Sequence, residues 1–292
     1  MNWGASCDHR GKAAQISSES SPRLKQAHPE PDVVKENLDT IDGRNHTMPI
    51  IYLSPSLQPF NKYVNGGDEQ YYMNLVADAM EPYLRANGIQ YVRSSRDMTL
   101  GQAIRQSNEG YYDLHLALHS NAAPESLSGQ LQGTDVYYYP ASVRGKQAAT
   151  IIAENFKNIY PQPNLVKAVP TTRLAEITKT NAPSVLMEIA YHDNPEDADW
   201  IRNNIDRIAA NIVQSLTQYF GLPFIDNPQP PRQGTVQTQG GNLNIRARPS
   251  RDAQVIGQAP NGATVTINGE WQGWGVISYN GIVGYVDSSY IV

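Results

Sequence analysis

The stretch Asp113 to Ala123, DLHLALHSNAA, carries the first pattern in the chain that could do chemistry. Leu114, Leu116 and Leu118 alternate with His115, Ala117 and His119, the two-residue period of a buried strand, and the run breaks into a loop at Ser120. His119 therefore stands where strand gives way to loop. Ligands and reactive groups gather at the carboxyl ends of strands in open α/β sheets, so an imidazole there is a candidate metal ligand or base. Two carboxylates occupy comparable places. Glu69 opens a helical pattern, where an acid either offsets the helix macrodipole or serves as a ligand, and Glu188 closes the apolar run Val185-Leu186-Met187. His115 shares a strand face with His119 but stands about 13 Å from it at strand rise, too far to share one metal.

The elements that must position these groups alternate along the chain. Pro49 to Leu53 reads as a strand ending in the loop Ser54-Pro55-Ser56, and Gly66-Gly67-Asp68 supplies a flexible lead and an N-cap. A helix follows through Tyr72, Leu75, Val76, Ala79, Met80 and Leu84, with a stop at Asn87-Gly88. The pattern then predicts a strand over 90–93, a helix over 99–107, the His119 strand, a strand over 133–139, a helix over 146–160 and a last strand over 185–189. One long helix, opened by Asn194-Pro195-Glu196-Asp197, runs to Phe220 and stops at Gly221. This order specifies an α/β layered domain with a largely parallel twisted sheet flanked by helices.

A chain of 292 residues has room for that domain and a second one. The formal charge of −5, without a basic cluster, excludes the nucleic-acid-binding class. Cys7 is the single cysteine, so any metal must be held by histidine and carboxylate rather than thiolate. No apolar run is long enough to cross a bilayer and no secretory signal is visible, so the sequence leaves the export route open. Residues 1–47 are polar and aperiodic and are expected to be a disordered or non-native leader before Met48. The α/β domain is expected over 48–224, and the proline-rich stretch 225–233 is expected to be a semi-rigid extended spacer. From 234 to 292, short apolar runs punctuated by Asn-Gly at 261, 268 and 280 predict a small, near-neutral all-β barrel.

Specific motifs carry two family resemblances. Asn242-Leu243-Asn244-Ile245-Arg246-Ala247-Arg248-Pro249, Trp271-Gln272-Gly273-Trp274 and Gly284-Tyr285-Val286 make 234–292 resemble the bacterial SH3-like (SH3b) domain, which implies binding to cell-wall peptide. Leu118-His119-Ser120-Asn121-Ala122, Pro183-Ser184-Val185-Leu186-Met187-Glu188 and Asn194-Pro195-Glu196-Asp197 make 48–222 resemble the zinc-dependent N-acetylmuramoyl-L-alanine amidases of the Amidase_3 type. By that resemblance Glu69 and His119 are zinc ligands and Glu188 is the catalytic acid/base. For Glu69 the family's following Asn comes one residue late, at Asn74, with Gln70 in the register-matched place. The family's first strand ends in D-P-G-H, whose histidine is the third ligand. This chain reads Ser54-Pro55-Ser56-Leu57 there, and Thr178 stands where relatives carry an arginine.

A catalytic zinc needs three protein ligands and one open position. His192, four residues beyond Glu188 with Asp193 beside it to orient the ring, is the expected replacement, and Gln58 and Asn61 are weaker candidates because amide oxygens bind zinc poorly. The function implied is zinc-dependent hydrolysis of the amide between N-acetylmuramic acid and L-alanine in peptidoglycan, outside the cell at the wall. A degenerate amidase fold that only binds peptidoglycan, and another zinc peptidase acting on stem peptides, are the alternatives.

Overall fold

The computed structural model describes residues 48–292; the expectations for 1–47, Cys7 included, lie outside them. Six strands form the first sheet: β1 (Ile50–Pro55), β2 (Gln90–Arg93), β3 (Leu114–Asn121), β4 (Thr134–Tyr138), β5 (Val166–Pro170) and β6 (Ser184–Tyr191), in the order β2-β1-β3-β6-β4-β5. β1, β3 and β6 are buried along nearly their whole length, as parallel strands covered on both faces must be. Every neighbouring pair is parallel except β4 with β6. β5 has no apolar periodicity to announce it, and the proline at its end suits an edge strand.

Helices α1 (Glu69–Ala86), α2 (Leu100–Glu109), α3 (Val143–Phe156), α4 (Ala175–Thr178), α5 (Pro195–Asn203) and α6 (Ile205–Phe220) cover the sheet. The Asp68 side chain caps α1 by accepting from the Tyr71 N–H, which fixes Glu69 as the first helical residue. The long helix expected after Asn194 is two helices. Asn204 leaves helical geometry between them and donates its side-chain amide to the Trp200 carbonyl. α6 packs against both α1 and α3. No helix among the described residues is long and apolar enough to cross a membrane.

The second sheet is wholly antiparallel: β7 (Arg232–Thr235), β8 (Leu243–Arg246), β9 (Val255–Ala259), β10 (Thr264–Trp271), β11 (Trp274–Tyr279) and β12 (Ile282–Asp287), in the order β7-β10-β11-β12-β8-β9. Asn280-Gly281 makes the expected tight turn, both residues at positive φ. Asn268-Gly269 does not. It sits inside β10 at a shift of register, and a Cβ on Gly269 would come within 2.4 Å of the Ala86 carbonyl oxygen at the end of α1. The glycine is there for close approach rather than for a turn, which falls instead at Gln272-Gly273.

That approach belongs to a wider seat. Val276 and Tyr285 of the second sheet join the same buried cluster as Met48 and Ala86. The Asn87 side chain both donates to the Ile225 carbonyl and accepts the Ile225 N–H. The stretch 225–233 therefore does not act as an extended spacer: its first residue is clamped to the end of α1, and Arg232 and Gln233 are already paired in β7.

Candidate active site

The β3–β6 ladder sets His119 opposite Glu188, and the β4–β6 ladder sets Asp135 on the other side of Glu188. Glu69 reaches the same place from the first turn of α1, because the Asp68 cap turns its side chain inward, where it is 1% exposed. Glu69 Oε1 lies 2.8 Å from His119 Nδ1 and accepts the Ser120 N–H at 3.3 Å. Its other oxygen accepts from Asn61 at 2.5 Å. Gln58 Nε2 lies 3.3 Å from His119 Nδ1, and Asn61 donates to Gln58 Oε1. The loop after β1 thus brings both amides to the Nδ1 side of the imidazole.

The other ring nitrogen meets Glu176, which sequence reasoning missed. His119 Nε2 is 3.1 Å from Glu176 Oε2, while His115 Nε2 is 3.2 Å from Oε1, so one carboxylate links the two histidines that were judged too far apart to share a metal. Glu176 lies in the four-residue helix α4, and so short a segment carries no period that could have singled it out.

These contacts set the charges. Burial alone would lower the His119 pKa, but hydrogen bonds to Glu176 and Glu69 outweigh it and hold the imidazole well above its ordinary range. Burial pushes Glu69 and Glu176 up, and their bonds to the histidines more than reverse it, leaving both below the usual carboxylate range. Glu188 has no such rescue. Burial, opposed by His119 and reinforced by Glu69 and Asp135, pushes it up to about 8, and its Oε2 is buried without a hydrogen-bond partner.

The structure brings Glu69, His119 and Glu188 together and leaves His192 apart from them. His192 Nδ1 is 2.8 Å from the Ser120 carbonyl oxygen and 3.1 Å from the Ser120 hydroxyl, and its ring stacks on Tyr63 at 5.5 Å. Its carbonyl accepts the Val64 N–H. This histidine props the loop that carries Gln58 and Asn61. Asp193 does not orient it, since that carboxylate accepts from the Ala123 N–H, the Ser128 hydroxyl and the Gly129 N–H. Thr178, in the arginine position, bonds only to the Leu174 carbonyl nearby.

Among the described residues no three His, Cys, Asp or Glu side chains are grouped as a metal site would group them. The pair His119–Glu69 nevertheless fits a divalent cation on the chemistry of its donors. With His119 protonated, Glu69 and Glu176 leave one uncompensated negative charge buried, a costly arrangement. A dication replacing the Nδ1 proton brings the sum of the three to zero. The groups that would hold it are His119 Nδ1 and Glu69, with Glu176 on Nε2 in the place of the carboxylate that habitually orients a metal-bound imidazole.

Residues 60–218 match the N-acetylmuramoyl-L-alanine amidase family, and residues 241–292 match the bacterial SH3 domain. Comparison with curated protein sequences gave no significant match. Among solved structures, the catalytic domain of the N-acetylmuramoyl-L-alanine amidase CwlV from Bacillus (Paenibacillus) polymyxa var. colistinus superposes with a TM-score of 0.52 at 17% identity, over 60% of this chain and 100% of that one. The amidase from Clostridium difficile 630 gives 0.53 at 15% identity, over 60% and 98% of the two chains. An amidase from Mycobacterium smegmatis gives 0.52 at 16%, over 61% and 99%.

Proposed function

Because this chain belongs to the N-acetylmuramoyl-L-alanine amidase family, we propose that it hydrolyses the amide between N-acetylmuramic acid and L-alanine in peptidoglycan, with a divalent cation, zinc in the first instance, held by His119 and Glu69. One observation carries the reading. Glu188 keeps a buried, unpartnered carboxylate oxygen directly across the ladder from His119, so a proton-transfer group is free beside the candidate cation site rather than bound in it.

The chain's own groups divide the labour. Glu69 and His119 hold the cation, Glu176 keeps the imidazole in place, and Ser120, Asn61 and Ser56 hold the Glu69 carboxylate through hydrogen bonds. When bound, the cation supplies Lewis acidity toward the scissile carbonyl and toward a water. Glu188 takes a proton from the attacking water and returns it to the leaving amine of L-alanine. Its half-buried setting, flanked by Tyr137 and Tyr191, favours carrying a proton over standing charged.

The wall is the place of action that this substrate implies, and wall peptide is the ligand proposed for the second domain. An open groove of about 360 Å³ there, lined by Arg246, Arg251, Asp287, Trp274 and Tyr290, offers both charges and two aromatic faces to such a peptide.

The test is clearance of purified cell walls with identification of the new amino termini. Wild type with zinc is expected to release L-alanine termini, and Glu188→Gln to lose about 10²–10⁴-fold in rate while still binding zinc. The missing first-strand histidine favours one second reading, a wall-binding protein that does not cut. Uncleared walls, identical for wild type and variant, would establish that reading, and a D-residue at the new terminus would mean a stem-peptide peptidase instead.

A further inference from the structure

We infer that Glu176 is a positioning residue that accepts from two histidines at once, keeping a proton on Nε2 of both His115 and His119, so that the proton His119 Nδ1 shares with Glu69 is the one a cation can replace. At Glu176 itself the donors and acceptors leave one consistent assignment. A carboxylate only accepts, so each Nε2 facing it must bear a proton. The Ser54 hydroxyl donates to the same carboxylate at 2.5 Å. At the far end, His115 Nδ1 is then a lone pair, and the Ser107 hydroxyl 2.8 Å away donates to it. All five side chains of this set of bonds are buried, and the His115 ring is held flat against Tyr52, 5.2 Å between centroids and 16° between planes.

The assignment answers a problem left by the separation of the two histidines along β3. Residues four apart on one strand cannot share a metal, but the two oxygens of one carboxylate span them, so His115 acts on His119 through Glu176. A glutamine could not do this, because its amide accepts on one side only and presents N–H on the other, facing one imidazole donor with another. One histidine must then turn its Nε2 into a lone pair and move its proton to Nδ1. If that one is His119, the proton occupies the position meant for a cation.

Replacement of the His119 Nδ1 proton by a cation rests on the function proposed above; the two Nε2 protons do not. The test uses the full-length chain labelled with ¹⁵N, long-range ¹H–¹⁵N spectra of the imidazoles, and zinc alone titrated by calorimetry. In the zinc-loaded wild type, Nε2–H is expected on both histidines, with a lone-pair Nδ1 on His115. In Glu176→Gln one of the two should switch to Nδ1–H and zinc affinity should fall about 10–100-fold. An Nδ1–H on either histidine of the loaded wild type, or unchanged tautomers in Glu176→Gln, overturns the inference. Should that variant fail to fold, the wild-type spectrum decides alone. Ser107→Ala then gives a second reading, since it should alter only the His115 Nδ1 resonance. A chain that takes up no zinc yet shows Nε2–H on His115 supports the clamp and defeats the cation reading separately.

Discussion

His119 divides its surroundings into two unlike halves. Behind it, Glu176, Ser54, His115 and Ser107 form a buried set in which every donor meets an acceptor. In front of it lie Glu69, Gln58, Asn61 and Glu188, with the Gln58 amide and the Glu69 carboxylate both facing one nitrogen and a Glu188 carboxylate oxygen left without a partner. A satisfied network stiffens, whereas a buried polar atom without a partner costs about 1–3 kcal/mol and persists where something else is meant to meet it. The difference locates the working side of the ring. It also separates the histidine inside the last residues of β3 from the one just past β6: His119 belongs to the boundary between the halves, and His192 belongs to the supporting structure.

The largest effect should come from the front. Glu69→Gln removes the anionic donor that meets His119 Nδ1 and is expected to weaken zinc binding by more than the roughly 10–100-fold that a supporting group contributes, read by calorimetry. An undiminished affinity would place the cation elsewhere and dissolve the contrast.

The next effect is a pH dependence in the metal-free chain. The Glu188 carboxyl is raised from 4.5 to about 8 in the folded protein, so the folded state keeps a proton that the unfolded state gives up in that interval. Its contribution to stability is complete below pH 4.5 and is lost as pH rises through about 8. Melting curves should show Glu188→Gln gaining on the wild type from pH 5 to pH 9; a constant gap would mean that Glu188 is already charged at low pH.

His192→Ala sharpens the comparison further. Losing the Tyr63 stack and the bond to Ser120 should cost about 1–3 kcal/mol of stability, or a few degrees of melting temperature, with zinc affinity unchanged within about twofold. A large loss of affinity instead would make His192 a ligand. The smallest effect belongs to the rear half: Ser54→Ala deletes one of three donors to Glu176 and should cost about 1 kcal/mol in a denaturant titration, the carboxylate remaining held by both imidazoles.

Strong periodicity made most of the fold legible. β1, β3 and β6 are runs of apolar residues, α1 has a cap and a stop, and these three strands with α1 bring Glu69, His119 and Glu188 to one rim. What escaped had no period to read. Glu176 sits on a single helical turn, and β5 is a short edge carrying Lys167 and Pro170. His192 was correctly located past a strand end, but the direction of its ring is decided by Ser120 and Tyr63, contacts made across the fold. Asn268-Gly269 has the composition of a turn, and only packing against Ala86 reveals why a glycine is needed there.

Helix α1 begins at Glu69 and ends at the residues that seat the second sheet. Its 18 residues, at 1.5 Å each, make a strut of about 27 Å. With Asn87 gripping Ile225 at its foot, the strut ties the two modules like the arms of a calliper: on the function proposed above, a wall strand grasped by the barrel would be held at one reach from Glu188, and the point of anchoring would dictate the bond presented for cutting.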